Sequence, residues 1–322
     1  MNDSCELPLV VILGPTASGK SKLAVYVAKQ LGGEVIACDS TQMYRGFDIG
    51  TAKPSAEERE GVLHHMMDLL EPGEEATAGG YRERAIAVLE DLRGRQRMPV
   101  FTAGTGLYLR ALLEGLADVP QRSEGLRERL RASAAERGAG HLHRILRRLD
   151  AISAGKIASA DEQKLIRAIE VCLLAKRPMS EVQRRGRTPL QGWRAVRIGL
   201  QPEREELHKR IQARTDAMLA SGWIEEVREL AKGGCADDAK PFEFIGYREL
   251  RAVVRGEMKL DEARAAIQQA TRRYAKRQMT WFRREKSVHW LNGFGADPGI
   301  QRRVLDIVRE ELRDTIATGM EV

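Results

Sequence analysis

The sequence predicts an α/β fold: a P-loop NTPase-like parallel sheet flanked by helices, with an all-helical insertion domain. Three observations predict it. The apolar run Leu9-Val10-Val11-Ile12-Leu13 leads into the glycine loop Gly14-Pro15-Thr16-Ala17-Ser18-Gly19-Lys20-Ser21, and a helix-forming segment follows over residues 22–31. Strand, glycine loop and helix together are the context in which the Walker A spacing G-x4-G-K-[ST] carries a mechanism. Further along, short apolar runs ending in polar or glycine turns alternate with helical segments, which argues for a parallel sheet covered on both faces. Residues 116–191, by contrast, show apolar side chains at helical spacing and no strand. The predicted organisation is a core of residues 1–115 and 192–322, interrupted by a helical domain over 116–191.

Taken in order, the second strand is Glu34-Val35-Ile36-Ala37-Cys38, ending at Asp39-Ser40-Thr41-Gln42. A turn-rich loop covers residues 44–54. Loops of that length in compact domains are functional or disordered, and this one carries too many specific polar groups to be filler. After His64-His65 come a helix over 77–93, a strand over 98–103, the glycine turn Gly104-Thr105-Gly106 and a helix through 114. Within the insertion, helices are expected near 123–137, 140–149 and 160–176. A strand returns at 195–200, followed by a helix over 202–232 broken near Ser221-Gly222. Helices around 246–254 and 260–285, a strand over 288–291 and a closing helix near 298–315 complete the chain. Five parallel strands fit these pieces.

Composition narrows the setting. With 43% hydrophobic and 31% charged residues the chain reads as a soluble globular protein. Its 53 basic and 46 acidic side chains leave a net charge of +7, with Lys and Arg crowded over 122–148, 164–197 and 272–286. Such clusters suit a polyanion, and they also suit solvated helix faces. Cys5, Cys38, Cys172 and Cys235 are isolated, which argues against a disulfide framework or zinc site and for a reducing compartment. The start, MNDSCELP, lacks the layout of a signal peptide, and no apolar run approaches the roughly 18 residues of a membrane span. A cytoplasmic protein with no membrane segment is expected. His64 and His65 lack Cys or His partners at metal-ligand spacing, so local hydrogen bonding is their expected role.

The chemistry gathers where strands end, because open parallel sheets bind ligands beyond their carboxyl edges. In the glycine loop, Gly14 and Gly19 let backbone N–H groups turn toward an anion, and the following helix adds its positive N-terminal end. Lys20 supplies a point charge and the Ser21 hydroxyl can ligate Mg²⁺. Asp39 admits three readings: an Mg²⁺ ligand, a general base facing the phosphate site, or a cap of its own turn. Arg210 and Arg214, four apart on a helix, either reach the phosphate site from outside the loop or form a solvated pair. In residues 271–284 Tyr274, Gln278 and Trp281 share a face suited to core packing, while Arg273, Arg277 and Arg284 share another open to phosphates.

At the level of ordered motifs the chain resembles the tRNA dimethylallyltransferases. The resemblance rests on the glycine loop, on Asp39-Ser40-Thr41-Gln42-Met43-Tyr44-Arg45-Gly46 and on Asp48-Ile49-Gly50-Thr51-Ala52-Lys53-Pro54. It continues through Gly104-Thr105-Gly106-Leu107-Tyr108, residues 163–171 (QKLIRAIEV), Ile245-Gly246-Tyr247-Arg248-Glu249 and residues 275–283 (AKRQMTWFR). The motifs follow in order from about residue 9 to residue 291. Departures are few: Leu63 stands where a proline commonly precedes the two histidines, Ala103 where a glycine precedes Gly104, and Ser159-Ala160 in place of His-Pro. No zinc-finger extension follows, as in the compact bacterial form.

The resemblance implies a tRNA-modifying prenyltransferase. It would move a dimethylallyl group from its diphosphate to N6 of the adenosine at tRNA position 37, releasing diphosphate with Mg²⁺ assisting. It further implies Asp39 as the base, Thr105 as a hydrogen-bonding partner at the reacting centre, and Lys20 on the leaving group. Residues 14–21 with Arg214 would hold the diphosphate, and Ser21 the metal. The tRNA contacts it implies are Asp39, Ser40, Thr41, Gln42, Thr105, Arg127, Gln163, Lys164, Leu165, Ile166, Arg167, Gly246, Tyr247, Arg248, Arg273, Lys276 and Arg277. Gln42, able to donate and accept, suits an adenine edge. The expected partner is the anticodon stem-loop, met by a monomer. The alternatives are a prenyltransferase of free adenylate and a P-loop kinase of small molecules, the latter requiring ATP.

Overall fold

Strands and helices alternate from the start: β1 (Leu7–Leu13), α1 (Lys20–Leu31), β2 (Gly33–Cys38), α2 (Ala56–Arg59), β3 (His64–His65), α3 (Ala78–Gly94), β4 (Met98–Ala103) and α4 (Gly106–Glu114). Five helices follow, α5 (Glu124–Arg137), α6 (His141–Leu149), α7 (Ala151–Ala154), α8 (Glu162–Ala175) and α9 (Met179–Arg184). The sheet resumes with β5 (Trp193–Leu200), and then come α10 (Arg204–Ala220), α11 (Trp223–Lys232), a 3-10 turn (Lys240–Glu243), α12 (Tyr247–Val254), α13 (Leu260–Phe282), β6 (Val288–Leu291) and α14 (Pro298–Thr318). This computed structural model describes residues 6–117, 119–138, 140–184 and 187–318, with side chains through 313. Cys5 and the first four residues lie outside the described residues; Cys38, Cys172 and Cys235 are free thiols.

The sheet runs β3-β2-β4-β1-β5-β6 with every pairing parallel. Leu9, Val10, Val11, Ile12 and Leu13 are fully buried, which is why β1 reads as an unbroken apolar run rather than an alternating one. Leu23, Ala24, Val27 and Ala28 of α1 pack with Val10 and Ile12 and with Val304, Ile307 and Val308 of α14. Among the described residues there are six strands, not five. The sixth, β3, pairs His64 and His65 with Val35 and Ile36, and two residues are too few to show any period. The histidines therefore sit on a strand. His65 Nε2 meets Glu34 Oε2 at 2.7 Å and His64 Nδ1 meets the Val62 carbonyl at 2.9 Å. Among the described residues no group of His, Cys, Asp or Glu is arranged to hold a metal, and no helix is long and apolar enough to cross a membrane.

Residues 113–190 form a compact unit of their own, and residues 1–112 with 191–322 form the other. The helical unit has its own core, in which Leu130, Leu142, Leu146, Leu165, Ile166 and Ile169 meet. On α8 a carboxylate is turned inward and a leucine outward. Glu170 is 0% exposed and Leu173 is 44% exposed. The Glu170 carboxylate accepts two hydrogen bonds from Arg127 at 2.9 Å, one from Arg167 at 2.6 Å and one from the Ser123 amide at 2.8 Å. Burial alone would raise this carboxyl, but the hydrogen bonds from Arg127, Ser123 and Arg167 outweigh it and hold it at about 2.

That carboxylate makes a testable knot. Its folded value lies below its ordinary 4.5, so its contribution is present above that value and is lost as pH falls through about 2. Replacing Glu170 by Ala leaves Arg127 and Arg167 facing a buried void. The expected cost is about 3–5 kcal/mol, the range for breaking a buried ion pair. Urea unfolding at neutral pH should show a lower midpoint for Glu170→Ala, and the gap from the parent should shrink toward pH 3.

Candidate active site

Three neighbouring strands end in register. Leu13 of β1 and Cys38 of β2 both align with Ala103 of the β4 strand between them. The next residues, Gly14, Gly104 and Asp39, therefore stand side by side along one sheet edge. With adjacent strands ~4.8 Å apart, the backbones at Gly14 and Asp39 are separated by about 10 Å, with the Gly104 turn between them.

The loop after β1 has the geometry its glycines imply. Gly19 adopts φ +86°, a left-handed value closed to most side chains, and α1 begins at the next residue. Lys20 Nζ donates to the Gly14 and Pro15 carbonyls, each at 2.9 Å. Burial lowers its ammonium to about 8; the nearby Asp39 charge opposes that shift and the Arg214 charge adds to it. Thr16 is committed to protein partners: its N–H donates to Gln278 Oε1 at 2.8 Å, and its hydroxyl accepts from Arg214 Nη2 at 2.7 Å. Pro15 has no N–H and the Thr16 N–H is engaged by Gln278, so the backbone donors left to face an anion come from the rest of the loop. Arg214 is thus fastened to the loop, and burial lowers its pKa while Asp39 raises it. Arg210 lines the same cavity with its guanidinium 3.6 Å above the Phe294 ring. Arg214 is partly buried against the loop, whereas Arg210 is exposed at the cavity border.

At the end of β2, Asp39 Oδ1 accepts from the Thr41 amide at 2.9 Å and the Thr41 hydroxyl at 2.8 Å. This is turn-capping chemistry, and it uses only one oxygen. Asp39 Oδ2 lies where a Cβ on Gly104 would come within 2.2 Å, so only glycine permits the carboxylate to sit there. Thr105 Oγ1 accepts from the Ser40 amide at 3.1 Å, and the Gly104 and Thr105 amides both donate to the Cys38 carbonyl. The β4 turn therefore clamps the end of β2. Gln42, expected as a reader of adenine, lines the larger cavity with its amide nitrogen already engaged. It is buried, and its amide donates to the Thr51 and Ala52 carbonyls at 3.1 Å each, which fixes the loop opposite. That loop is further pinned by Lys53, whose Nζ reaches Asp48 at 2.7 Å and Asp68 at 2.5 Å.

These residues surround two joined cavities. The larger, about 630 Å³, is bounded by Lys20, Ser21, Asp39, Gln42 and Arg214. The smaller, about 330 Å³, is bounded by Asp39, Ser40, Thr41, Trp223, Phe244 and Arg277. Thr16, Asp39, Thr51, Ala52, Arg214 and Tyr274 border both. Asp39 thus faces a polar, phosphate-type lobe on one side and a lobe with aromatic walls on the other.

The same chain matches the sequence profile described as IPP transferase over residues 42–285, and that described as isopentenyl transferase over residues 7–69. The chain belongs to the IPP transferase family. It is 51% identical over 302 residues to the tRNA dimethylallyltransferase of Koribacter versatilis, covering 94% of this chain and 98% of the relative. To the protein of that name in Solibacter usitatus it is 49% identical, covering 95% and 99%. Its fold is similar to the crystal structure of the tRNA isopentenylpyrophosphate transferase of Bacillus halodurans, with a TM-score of 0.72 at 34% identity, covering 98% of this chain and 99% of that one. A eukaryotic dimethylallyltransferase captured acting on tRNA shares the fold at a TM-score of 0.83, with 24% identity over 96% of this chain and 80% of that one.

Seen as an IPP transferase, the chain presents its remaining candidate residues unevenly. Arg273, Lys276 and Arg277 are exposed on α13, with the Arg277 guanidinium 5.6 Å from the Tyr274 ring. Gln163 and Lys164 are exposed on α8, Lys164 pairing with Asp161. Arg248 is exposed and pairs with Glu249 at 2.8 Å. Three expected contacts are corrected. Leu165 and Ile166 are core residues of the helical unit, and Tyr247 is fully buried, its hydroxyl donating to Glu226 at 2.6 Å and accepting from the Gly50 amide at 3.1 Å. Their side chains stabilise the scaffold. Arg127 and Arg167 are held by Glu170, so any phosphate they meet competes with a buried carboxylate.

Sequence reasoning missed the parts that three residues play around the site. Gln278 Nε2 and the Tyr274 hydroxyl both donate to the Gly104 carbonyl, at 2.8 and 3.2 Å. Glu226 accepts from the Asp48 and Ile49 amides and so holds the loop that carries Thr51 and Ala52. The Ser21 hydroxyl, exposed at the start of α1 and bordering the larger cavity, offers the hard oxygen that Mg²⁺ prefers. A single protein oxygen fits that ion because phosphate oxygens and waters normally complete its shell.

Proposed function

We propose that this chain transfers the dimethylallyl group of dimethylallyl diphosphate to N6 of the adenosine at tRNA position 37, 3′ of the anticodon. One observation carries the reading: a phosphate loop, an acceptor carboxylate and a hydroxyl-bearing turn end three adjacent strands in register, around cavities that meet at Asp39. A kinase site needs phosphate donor and acceptor next to each other. Here a base about two strands from the phosphate loop leaves room for a five-carbon group between leaving group and amine.

The roles follow from charge flow. The allylic C–O bond breaks with its electron pair leaving on the diphosphate, where Lys20 and Arg214 receive the growing negative charge. Mg²⁺ held by Ser21 would supply further charge neutralisation there. The N6 lone pair is delocalised into the purine, so the amine attacks well only if its proton departs as the N–C bond forms. Asp39 Oδ2, free of the Thr41 bonds, is the acceptor for that proton, and Thr105 orients the end of β2 beside it. The adenosine would leave the anticodon-loop stack to enter the smaller cavity, at a cost of a few kcal/mol. Exposed Arg273, Lys276, Arg277, Arg248, Gln163 and Lys164 are available for the surrounding backbone. The protein would act as a monomer on the anticodon stem-loop in the cytoplasm.

One assay separates the readings. Purified protein receives dimethylallyl diphosphate and Mg²⁺ with either tRNA or free AMP, and ATP is tested in parallel. The expected result is N6-prenylated tRNA with little product on AMP and no use of ATP. Prenylation of AMP alone, or ATP-dependent phosphorylation of a metabolite, would overturn the proposal.

A further inference from the structure

The phosphate loop and the turn beside the base are joined by one side chain from far along the chain. Gln278 lies on α13, 262 residues from Thr16 and 174 from Gly104, yet its amide spans the two. Oε1 accepts the Thr16 N–H at 2.8 Å, and Nε2 donates to the Gly104 carbonyl at 2.8 Å. Gln278 is 6% exposed, so neither bond is shared with bulk water. One helical turn earlier, Tyr274 places a second donor on the same carbonyl. The Gly104 backbone is in turn the surface against which the Asp39 carboxylate rests.

We infer that Gln278 is a positioning residue for prenyl transfer: its amide sets the gap between the leaving-group loop and the Asp39 turn. A primary amide is the side chain suited to this task, because it offers an acceptor and a donor at opposite corners of one rigid plane. Displacing reacting groups by about 1 Å can cost on the order of 100-fold in rate, so a spacer of this kind acts on turnover more than on affinity. The inference rests on the prenyl-transfer reading given above.

The test uses the full chain with dimethylallyl diphosphate, Mg²⁺ and tRNA. Gln278→Glu keeps the acceptor for Thr16 and removes the donor to Gly104; Gln278→Met removes both at similar volume. Tyr274→Phe removes only the companion hydroxyl and secures the test should the buried substitutions not fold, which a thermal melt reports. The expected result is kcat lower by more than tenfold in Gln278→Glu, lower still in Gln278→Met, and three- to tenfold lower in Tyr274→Phe. KM for the diphosphate and affinity for tRNA should stay within threefold. Made in an Asp39→Asn background, Gln278→Glu should cost less than twofold more, since a residue acting through the base has nothing left to place. Unchanged kcat, a loss confined to KM, or a full additive loss in the double variant would each overturn the inference. Inactivity of the parent protein on tRNA would instead overturn the functional reading.

Discussion

Asp39→Asn is expected to lose 10²–10⁴ in kcat, the range a positioned general base contributes, while binding of tRNA and of dimethylallyl diphosphate stays within about threefold. The structure makes this substitution clean. Asn is isosteric, and its carbonyl oxygen keeps the two bonds that Thr41 makes to Oδ1, so the turn at the end of β2 survives. What changes is the second oxygen, which faces Gly104 and the cavities and becomes an NH₂ unable to accept a proton. Steady-state kinetics with a filter-binding measurement of tRNA affinity would check it. Turnover equal to the parent's would remove Asp39 from the chemistry. The Mg²⁺-ligand reading predicts a different pattern, in which raising Mg²⁺ restores much of the lost rate; a base lost from the site cannot be restored that way.

How much of this could be read without coordinates depends on the range of each interaction. The phosphate loop and the Gly104 turn announce themselves locally, because each is a glycine turn placed directly after an apolar run. Asp39 is legible for the same reason, as a carboxylate at the end of a buried strand. That the three ends align is a matter of register, and one sequence carries no register between β1, β4 and β2. Gln278 is hidden for a related reason. Helical spacing puts it on a face with Tyr274 and Trp281, but periodicity cannot say which strand end that face meets. The burial of Glu170 is not legible from spacing either, because only the converging Arg127 and Arg167 make a buried carboxylate tolerable. Gln42 shows a different gap: sequence gives its donors and acceptors, but not that its amide nitrogen is engaged by the Thr51 and Ala52 carbonyls.

Lys20→Ala should produce the second large effect, and its pH dependence identifies the cause. In the folded protein the ammonium is buried near Arg214 and its pKa falls to about 8. Two neighbouring buried cations are costly together, and an incoming diphosphate relieves that cost by pairing with both. Removing one should weaken diphosphate binding by about 1.5–3 kcal/mol, the range for a hydrogen bond to a charged group, which is roughly a 10- to 150-fold rise in KM. Turnover should fall as well, because the charge on the leaving oxygen grows toward the transition state. The sign of the pH effect follows from the protonation state. Below about 8 Lys20 is charged and the parent's kcat/KM for the diphosphate is independent of this group; as pH rises through about 8 the free enzyme loses the proton and kcat/KM declines. Bound diphosphate favours the charged form, so the corresponding limb in kcat should lie at higher pH. Lys20→Ala should lack the kcat/KM limb altogether. A variant that kept both the limb and the parent's KM would show that some other cation holds the leaving group.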